Sequence, residues 1–320
     1  MEMFAGLLVS ALLLGCTYTL IAVGFSLFFG VMDVVVFCCG DIAIFGAFSI
    51  MGAYAVLYSA GLFNSLPFIV CVVLLLLIGA IFCAVLGLTT YRFSIKPFTQ
   101  SSVLMPLLST IALGTVIKEV LGLLFRPVVN AASTAAGGEN AMLVVSGRNP
   151  QGFPGLLLPE LSVNIRYVTI IGITVLILLL LFIFLNKTKT GLSMQAISQN
   201  RELSLMTGIN VSRTVIATFI IGGALLAISG FLVGSYQKIM SFDNGAMYGA
   251  KGFSAAVVGG LRNTWGAVIG GMLLAFVEVF VSGYVPSGTA YSSIVAFVVV
   301  VIFIVFKPEG IIGEKTVEKV

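Results

Sequence analysis

Residues 186–214, NKTKTGLSMQAISQNRELSLMTGINVSRT, decide how this chain is read. The stretch is polar and basic. It stands between two apolar runs, 167–185 and 215–236. A transmembrane helix needs about 20 apolar residues, so both flanks can cross a bilayer and 187–214 is the loop between them. Gly191, Ala196, Asn200, Gly208, Ile209 and Asn210 punctuate the loop and predict two short helices. Asn200 suits the N-cap of 201–206, because its side-chain oxygen accepts from a free amide of the first turn. Glu202 then lies where the helix dipole favours an acid. Gly208 suits the left-handed position that closes such a helix, with Ile209 packing back. A short helix capped in this way offers Leu203 and Met206 as a small apolar knob. A folded basic hairpin between two spans reads as a docking surface for a soluble partner; a solvated connecting hairpin is the plainer alternative.

The rest of the chain fits a membrane protein. Of 320 residues, 59% are hydrophobic and 9% charged, and the mean hydropathy is +1.18. Soluble domains carry about 25% charged residues. Apolar segments fall at 4–30, 42–62, 67–90, 103–125, 167–185, 215–236, 250–261, 265–284 and 292–306, and 34–48 can add a short or broken piece. The expected fold is an all-α polytopic membrane protein with eight to ten transmembrane helices, some short or broken. No soluble interval divides it, so one membrane domain over 1–320 is expected. Residues 1–31 lack the basic start of a cleaved signal, and their apolar run is too long for one.

Lys and Arg set the orientation. Arg92 and Lys96, then Lys187, Lys189, Arg201 and Arg213, then Lys307, Lys315 and Lys319 mark three cytoplasmic regions, the C-terminus among them. The N-terminus carries only Glu2, which does not fix its side. The loop 128–166 then faces outward. Gly137, Gly138, Pro150, Pro154 and Pro159 give it irregular structure, as a landing surface for an external partner or a plain connection.

Cys16, Cys38, Cys39, Cys71 and Cys83 all lie in apolar segments and read as small packing residues, not as an external disulfide framework. The chain has no histidine, the commonest metal ligand and proton shuttle. It has no phosphate-binding loop, nucleophile elbow or zinc-binding helix motif. No catalytic residue, metal, cofactor or nucleic-acid module is therefore expected. Glycines four apart, Gly230 with Gly234 and Gly266 with Gly270, suit close helix packing. Trp265 and Tyr284 bracket one span as interfacial aromatics do.

Charges within the spans are few, and such residues face protein or water. Lys118 and Glu119 are expected near an outer interface or paired with neighbours. Asp33 and Asp41 flank 34–40, and Lys251 follows the polar stretch 241–244. Glu278 sits in the apolar run 272–281, where it is expected to meet a freed amide or a neighbouring Ser or Thr, with solute contact as the alternative. A glycine and an acid after an apolar run predict a broken or strained segment at 36–41, near the central pathway. The candidate pathway residues are Phe37, Cys38, Cys39, Gly40, Asp41 and Glu278.

The run Lys189-Thr-Gly-Leu-Ser-Met-Gln-Ala196-Ile-Ser-Gln-Asn200, continuing to Leu205-Met-Thr-Gly208-Ile-Asn210, resembles the cytoplasmic coupling loop of ABC importer permeases. The resemblance is to the branched-chain amino acid permeases of the subtype that pairs with a second, related permease. Four other stretches resemble that family in the same order: Gly15-Cys-Thr-Tyr-Thr-Leu-Ile-Ala-Val-Gly24, Lys251-Gly-Phe-Ser-Ala-Ala-Val-Val-Gly-Gly260, Gly266-Ala-Val-Ile-Gly-Gly271 and Lys307-Pro-Glu-Gly-Ile-Ile-Gly313. One motif departs. Where the family usually has Asn-Phe-Ala-His-Gly-Glu, this chain has Val36-Phe-Cys-Cys-Gly-Asp41, which puts the solute in doubt and admits other amino acids, amides or urea. The resemblance implies a permease subunit of an ATP-driven importer in a prokaryotic inner membrane. Its implied partners are a related permease, ABC ATPase subunits, an extracytoplasmic substrate-binding protein and membrane lipid. ATP hydrolysis would belong to the ATPases, and Gly191, Ala196, Asn200, Leu203, Met206, Gly208 and Ile209 would form the coupling loop. A self-contained secondary transporter or channel is the alternative of a different class. It needs buried ionisable groups or broken helices near the midplane, for which Asp33, Asp41 and Glu278 are the candidates.

Overall fold

A computed structural model describes residues 2–59, 68–98, 102, 104–135, 143–144, 163–237, 239–285, 288–307 and 309–312. Eleven α-helices follow one another along these residues. They are α1 (Glu2–Met32), α2 (Cys39–Ser59), α3 (Phe68–Thr89), α4 (Leu104–Ala135), α5 (Val163–Lys187), α6 (Lys189–Gln199), α7 (Arg201–Met206), α8 (Val211–Gln237), α9 (Asn244–Gly259), α10 (Thr264–Tyr284) and α11 (Gly288–Phe306). Among the described residues six stretches are long and apolar enough to cross a membrane: Met3–Met32, Val72–Phe98, Leu104–Phe125, Ile170–Lys187, Val211–Tyr236 and Thr264–Tyr284. Cys39–Tyr54 and Tyr291–Phe306 are shorter apolar helices. The molecule is a helical, multi-pass membrane protein. The one departure from all-helical structure among the described residues is a pair of two-residue antiparallel strands, Leu143–Val144 against Ile239–Met240.

Several boundaries differ from the sequence reading. The loop read at 128–166 is shorter at both ends, since α4 continues to Ala135 and α5 already starts at Val163. Gly137, Gly138, Pro150, Pro154 and Pro159 lie outside the described residues, as do Gly313, Lys315 and Lys319. The island is narrower as well. Lys187 belongs to α5, and α8 starts at Val211 because Asn210 accepts from the Arg213 amide at 3.1 Å. The short span expected at 250–261 begins earlier, with α9 at Asn244. Beyond α3 the chain widens into a π-helical turn, Thr90–Ile95, and then tightens into a 3-10 turn, Lys96–Phe98. The Thr89 and Thr90 hydroxyls both donate to the Leu86 carbonyl there, at 2.7 and 2.9 Å, which takes an acceptor from the α-helical ladder.

The chain divides into two compact units. The first comprises Met1–Val35, Thr169–Thr218 and Ala250–Val320; the second comprises Val36–Val168 and Phe219–Gly249. In the first unit α1 packs against α10. A side chain on Gly271 would strike the Thr19 backbone, and one on Gly270 the Ala255 backbone. The Thr19 hydroxyl donates to the Val268 carbonyl at 3.2 Å. In the second unit α8 lies close on α2, since a side chain on Gly230 would strike the Ala43 backbone. Phe48 adds ring contacts to Phe125 and Phe242, at 5.6 and 4.8 Å between centroids. Close backbone approach through small residues is how membrane helices associate where water supplies no driving force. Apolar side chains remain exposed on the outward faces, among them Leu123 on α4, Leu176 and Leu180 on α5, and Val301 and Val305 on α11. Cys16, Cys38, Cys39 and Cys83 are buried and free, and the Cys83 thiol donates to the Ile42 carbonyl at 3.4 Å.

Candidate functional site

The island is built from local signals. Thr188 caps α6, its hydroxyl accepting from the Gly191 amide at 3.0 Å. Gly191 lies in the first turn, where a side chain would strike the Phe184 and Leu185 backbone, so α6 folds back tightly on the end of α5. Ala196 lies within α6, and its carbonyl accepts from the Asn200 amide at 3.1 Å. Asn200 ends α6 and caps α7 at once, its side chain accepting from the Leu203 amide at 3.0 Å. Glu202 takes the first turn of α7. Gly208 has φ +82. The Gly208 amide bonds to the Leu205 carbonyl and the Ile209 amide to the Ser204 carbonyl, both at 3.1 Å. This crossed pair of bonds with a left-handed glycine is the Schellman closure. The six residues of α7 are therefore stopped at both ends, and their apolar side chains stay outside: Leu203 is 58% and Met206 84% exposed, with Leu205 alongside.

The island is also tied to its own unit. Arg262, in the turn between α9 and α10, donates to the Ser198 carbonyl of α6 at 3.2 Å and to the Asp33 carboxylate at 2.5 Å. Beside α6 lies a cavity of about 280 Å³ whose walls include Ser26, Gly30, Leu181, Ser198, Arg262 and Trp265.

Glu278 is held by a buried network. Lys251 Nζ meets Glu278 Oε1 at 2.5 Å, the Tyr18 hydroxyl donates to Oε2 at 2.9 Å, and Ser293 Oγ reaches Oε1 at 3.3 Å. Lys251 also donates to the Tyr18 oxygen at 2.9 Å. Tyr18 is 0%, Lys251 3% and Glu278 9% exposed. Both carboxylate oxygens are engaged, and the charge is cancelled inside the bundle. The neighbouring serine matches the sequence reading, whereas the lysine was missed. The signal for it was a lone base and a lone acid in two successive late helices.

The chain breaks between α1 and α2, but earlier than the 36–41 expected from the sequence: the break spans 33–38, and Cys39, Gly40 and Asp41 already belong to α2. Helix α1 stops at Asp33, a left-handed residue with φ 54, and regular helix resumes at Cys39. The Phe37 amide donates to Thr110 Oγ1 at 3.3 Å. Cys38 and Cys39 are fully buried. Gly40 lies directly on α9, where a side chain would strike the Gly245 and Gly249 backbone. The Asp41 carboxylate lies against Gly114 and Gly245. Lys118, on α4, pairs with Asp243 at 2.5 Å. Phe37–Asp41 thus find their partners in the second unit, whereas Glu278 finds its own in the first. Among the described residues no group of His, Cys, Asp and Glu is arranged to hold a metal ion.

Comparison with known proteins bears on this arrangement. The family model for the branched-chain amino acid transport system / permease component matches residues 7–304. The chain is 28% identical to the high-affinity branched-chain amino acid transport system permease protein BraD of Pseudomonas aeruginosa, over 98% of this chain and 97% of that protein. It is 29% identical to the corresponding protein LivH of Salmonella typhimurium, over 96% and 94%. It is also 29% identical to a probable branched-chain amino acid transport permease protein LivH of Methanocaldococcus jannaschii, over 84% and 81%. The apolar spans, the glycine-packed helices and this match over nearly the whole length give one conclusion: the chain is a membrane permease and belongs to the branched-chain amino acid transport permease family.

Proposed function

We propose that this permease is one membrane subunit of an ATP-driven importer for branched-chain amino acids, leucine among them. It forms the pathway together with a related second permease, as one permease domain over 1–320 that crosses the membrane eight to ten times. Soluble ABC ATPases dock on the island and carry out all ATP hydrolysis. An extracytoplasmic binding protein delivers the solute, and lipid of a prokaryotic inner membrane surrounds the spans. The island and the C-terminus face the cytoplasm, where Lys and Arg concentrate.

One observation carries this reading: α7 is a rigid, doubly capped helix that holds Met206 84% exposed between two spans. An apolar side chain held in that way, at the end of a polar loop, suits insertion into a groove on a partner. Gly191, Ala196 and Asn200 shape α6 and its turn, Gly208 and Ile209 close α7, and Leu203 and Met206 form the contact. When ATP binding draws the ATPases together, the knob moves and the pathway changes its access. Of the candidate pathway residues, Phe37 and Asp41 are partly exposed and face that pathway, while Cys38, Cys39 and Gly40 pack behind them. Glu278, with both oxygens engaged, holds the bundle together. That engagement counts against a secondary transporter driven through Glu278.

The decisive variant is Gly208→Val. A side chain there meets nothing within 4 Å, so the expected cost is backbone strain alone, about 1–3 kcal/mol at a left-handed position. The variant is expected to insert normally, to pull down less of the cognate ATPase and to lower leucine-stimulated hydrolysis. Normal docking and transport would make the island a passive loop. A second reading keeps the family and changes the solute, since Val36 and Cys39, both buried, stand where the family has Asn and His. Competition of leucine, urea and simple amides for the cognate binding protein separates the two.

A further inference from the structure

We propose that Arg262 is a positioning residue for coupling: it joins the end of the docking loop's first helix to the end of α1, so that a displacement of the loop reaches α1 through one guanidinium. The proposal rests on the reading of the island as the ATPase-docking surface. Its geometry lies wholly within the first unit.

Two helix C-termini converge on Arg262. Ser198 is in the last turn of α6, where carbonyls lack intrahelical partners, and its oxygen accepts from Arg262 at 3.2 Å. Asp33 directly follows α1, and its carboxylate accepts from the other terminal nitrogen at 2.5 Å. Helix C-termini attract cations, and the planar fork of arginine serves two acceptors at fixed angles, which a lysine cannot do. Gly30, near the end of α1, lies beside both partners: a Cβ there would stand at ordinary contact distance, 3.4 Å from Ser198 Cβ and 3.9 Å from the Arg262 carbonyl.

The base of the arginine is fixed. Gly260, with φ 111, closes α9. The tail then binds the end of that helix, the Ile311 amide donating to the Val258 carbonyl at 2.9 Å and the Ile312 amide to the Gly259 carbonyl at 3.1 Å. On the other side, Asn263 caps α10 by accepting from the Trp265 and Gly266 amides at 2.9 and 3.2 Å. The cavity of about 280 Å³ lies beside both α6 and the 262–265 turn, so the guanidinium joins the hydrogen-bonded turn to α6 at the edge of open space. Both members of the Arg262–Asp33 pair are about half exposed. Exposed pairs add little stability, so the value of this one is where it points. From Asp33 the chain runs directly into the segment that carries Phe37–Asp41.

The test uses the complete complex, with its partner permease, ATPases and binding protein, in proteoliposomes with radiolabelled leucine. Arg262→Met is expected to lower leucine transported per ATP hydrolysed by about fivefold, the scale of mutational effects on coupling between sites. ATPase pull-down and the melting temperature of the complex are expected to remain. Asp33→Gly keeps the left-handed turn and removes the carboxylate; it is expected to do the same. The double variant is expected to be no worse than either single one, as for two residues acting in one link. Arg262→Lys should be intermediate, keeping the charge without the fork. An unchanged ratio in Arg262→Met, additive losses in the double variant, or loss of ATPase docking would each overturn the proposal. Failure of the underlying reading looks different: Gly208→Val would then dock ATPase normally, whatever Arg262 does.

Discussion

Glu278 and Asp41 are each an acid set in an otherwise apolar stretch, and their surroundings are opposite. Glu278, in the first unit, receives Lys251, Tyr18 and Ser293, so that both of its oxygens are engaged by protein donors. Asp41, in the second unit, lies between glycines, its oxygens against Gly114 and Gly245. Among the described residues no side chain donates a hydrogen bond to it, and Lys118, on α4, is engaged by Asp243 at 2.5 Å. A membrane protein tolerates an acid in two ways. It can cancel the charge with a buried partner, which locks helices together. It can also leave the oxygens beside small residues, available to something that is not part of the chain. The first arrangement is structural in character, and the second is the one a transport pathway needs.

The sharpest way to break this contrast is to remove the acid from the locked site. Glu278→Leu strands the Lys251 charge, which is 3% exposed. Removing one partner of a buried pair typically costs about 3–5 kcal/mol, whereas replacing both with apolar residues is often neutral. Glu278→Leu is therefore expected to collapse the yield of monodisperse permease in detergent. The double variant Glu278→Leu with Lys251→Met should recover most of the yield and of the melting temperature. If the double variant folds well but carries no leucine, Glu278 is more than a lock and the contrast fails.

A smaller effect is expected at the start of α2, where packing places Asp41. Gly40 lies against the α9 backbone, with the Gly249 Cα only 2.7 Å from where a Cβ would stand. Backbone cannot yield as a flexible side chain does. Gly40→Ala is expected to cost about 1–3 kcal/mol by overpacking, read as a lower melting temperature, with a fall in leucine uptake. An alanine variant with wild-type uptake would show that the placement of Asp41 does not matter.

What the sequence conveys and what it withholds follow the same division between local and distant. The long apolar runs announce their helices, and α7 is readable to its caps, since Asn200 and Gly208 act on amides and carbonyls a few residues away. A break between the first two helices is readable from Gly40 and Asp41, but its place is not: it falls at 33–38, where Asp33 turns left-handed, and Gly40 and Asp41 are helical. The partners of Glu278 are not readable either. Tyr18 stands 260 positions away and Lys251 27, and no periodicity connects them. Arg262 reads as one more basic residue in a turn, and only folding brings Ser198 and Asp33 to it. The early start of α9 is hidden for another reason. Gly245 and Gly249 are poor helix formers, yet Gly40 packs on them and needs them small.

The mildest change tests the available acid itself. Asp41→Asn keeps the shape of the side chain between Gly114 and Gly245 and removes only the charge. No buried lysine loses its partner, since Lys118 is paired with Asp243 and is 38% exposed. The melting temperature is therefore expected to stay close to wild type, unlike that of Glu278→Leu. If Asp41 meets the ammonium of an amino acid on its way through, the half-saturating leucine concentration should rise about tenfold, equivalent to about 1.4 kcal/mol. Uptake by the reconstituted complex over a range of leucine concentrations, at fixed binding protein, reads this directly. A drop in melting temperature without a change in half-saturation would make Asp41 a second packing residue. The two acids would then differ only in how they are buried, and the pathway would have to be sought away from 36–41.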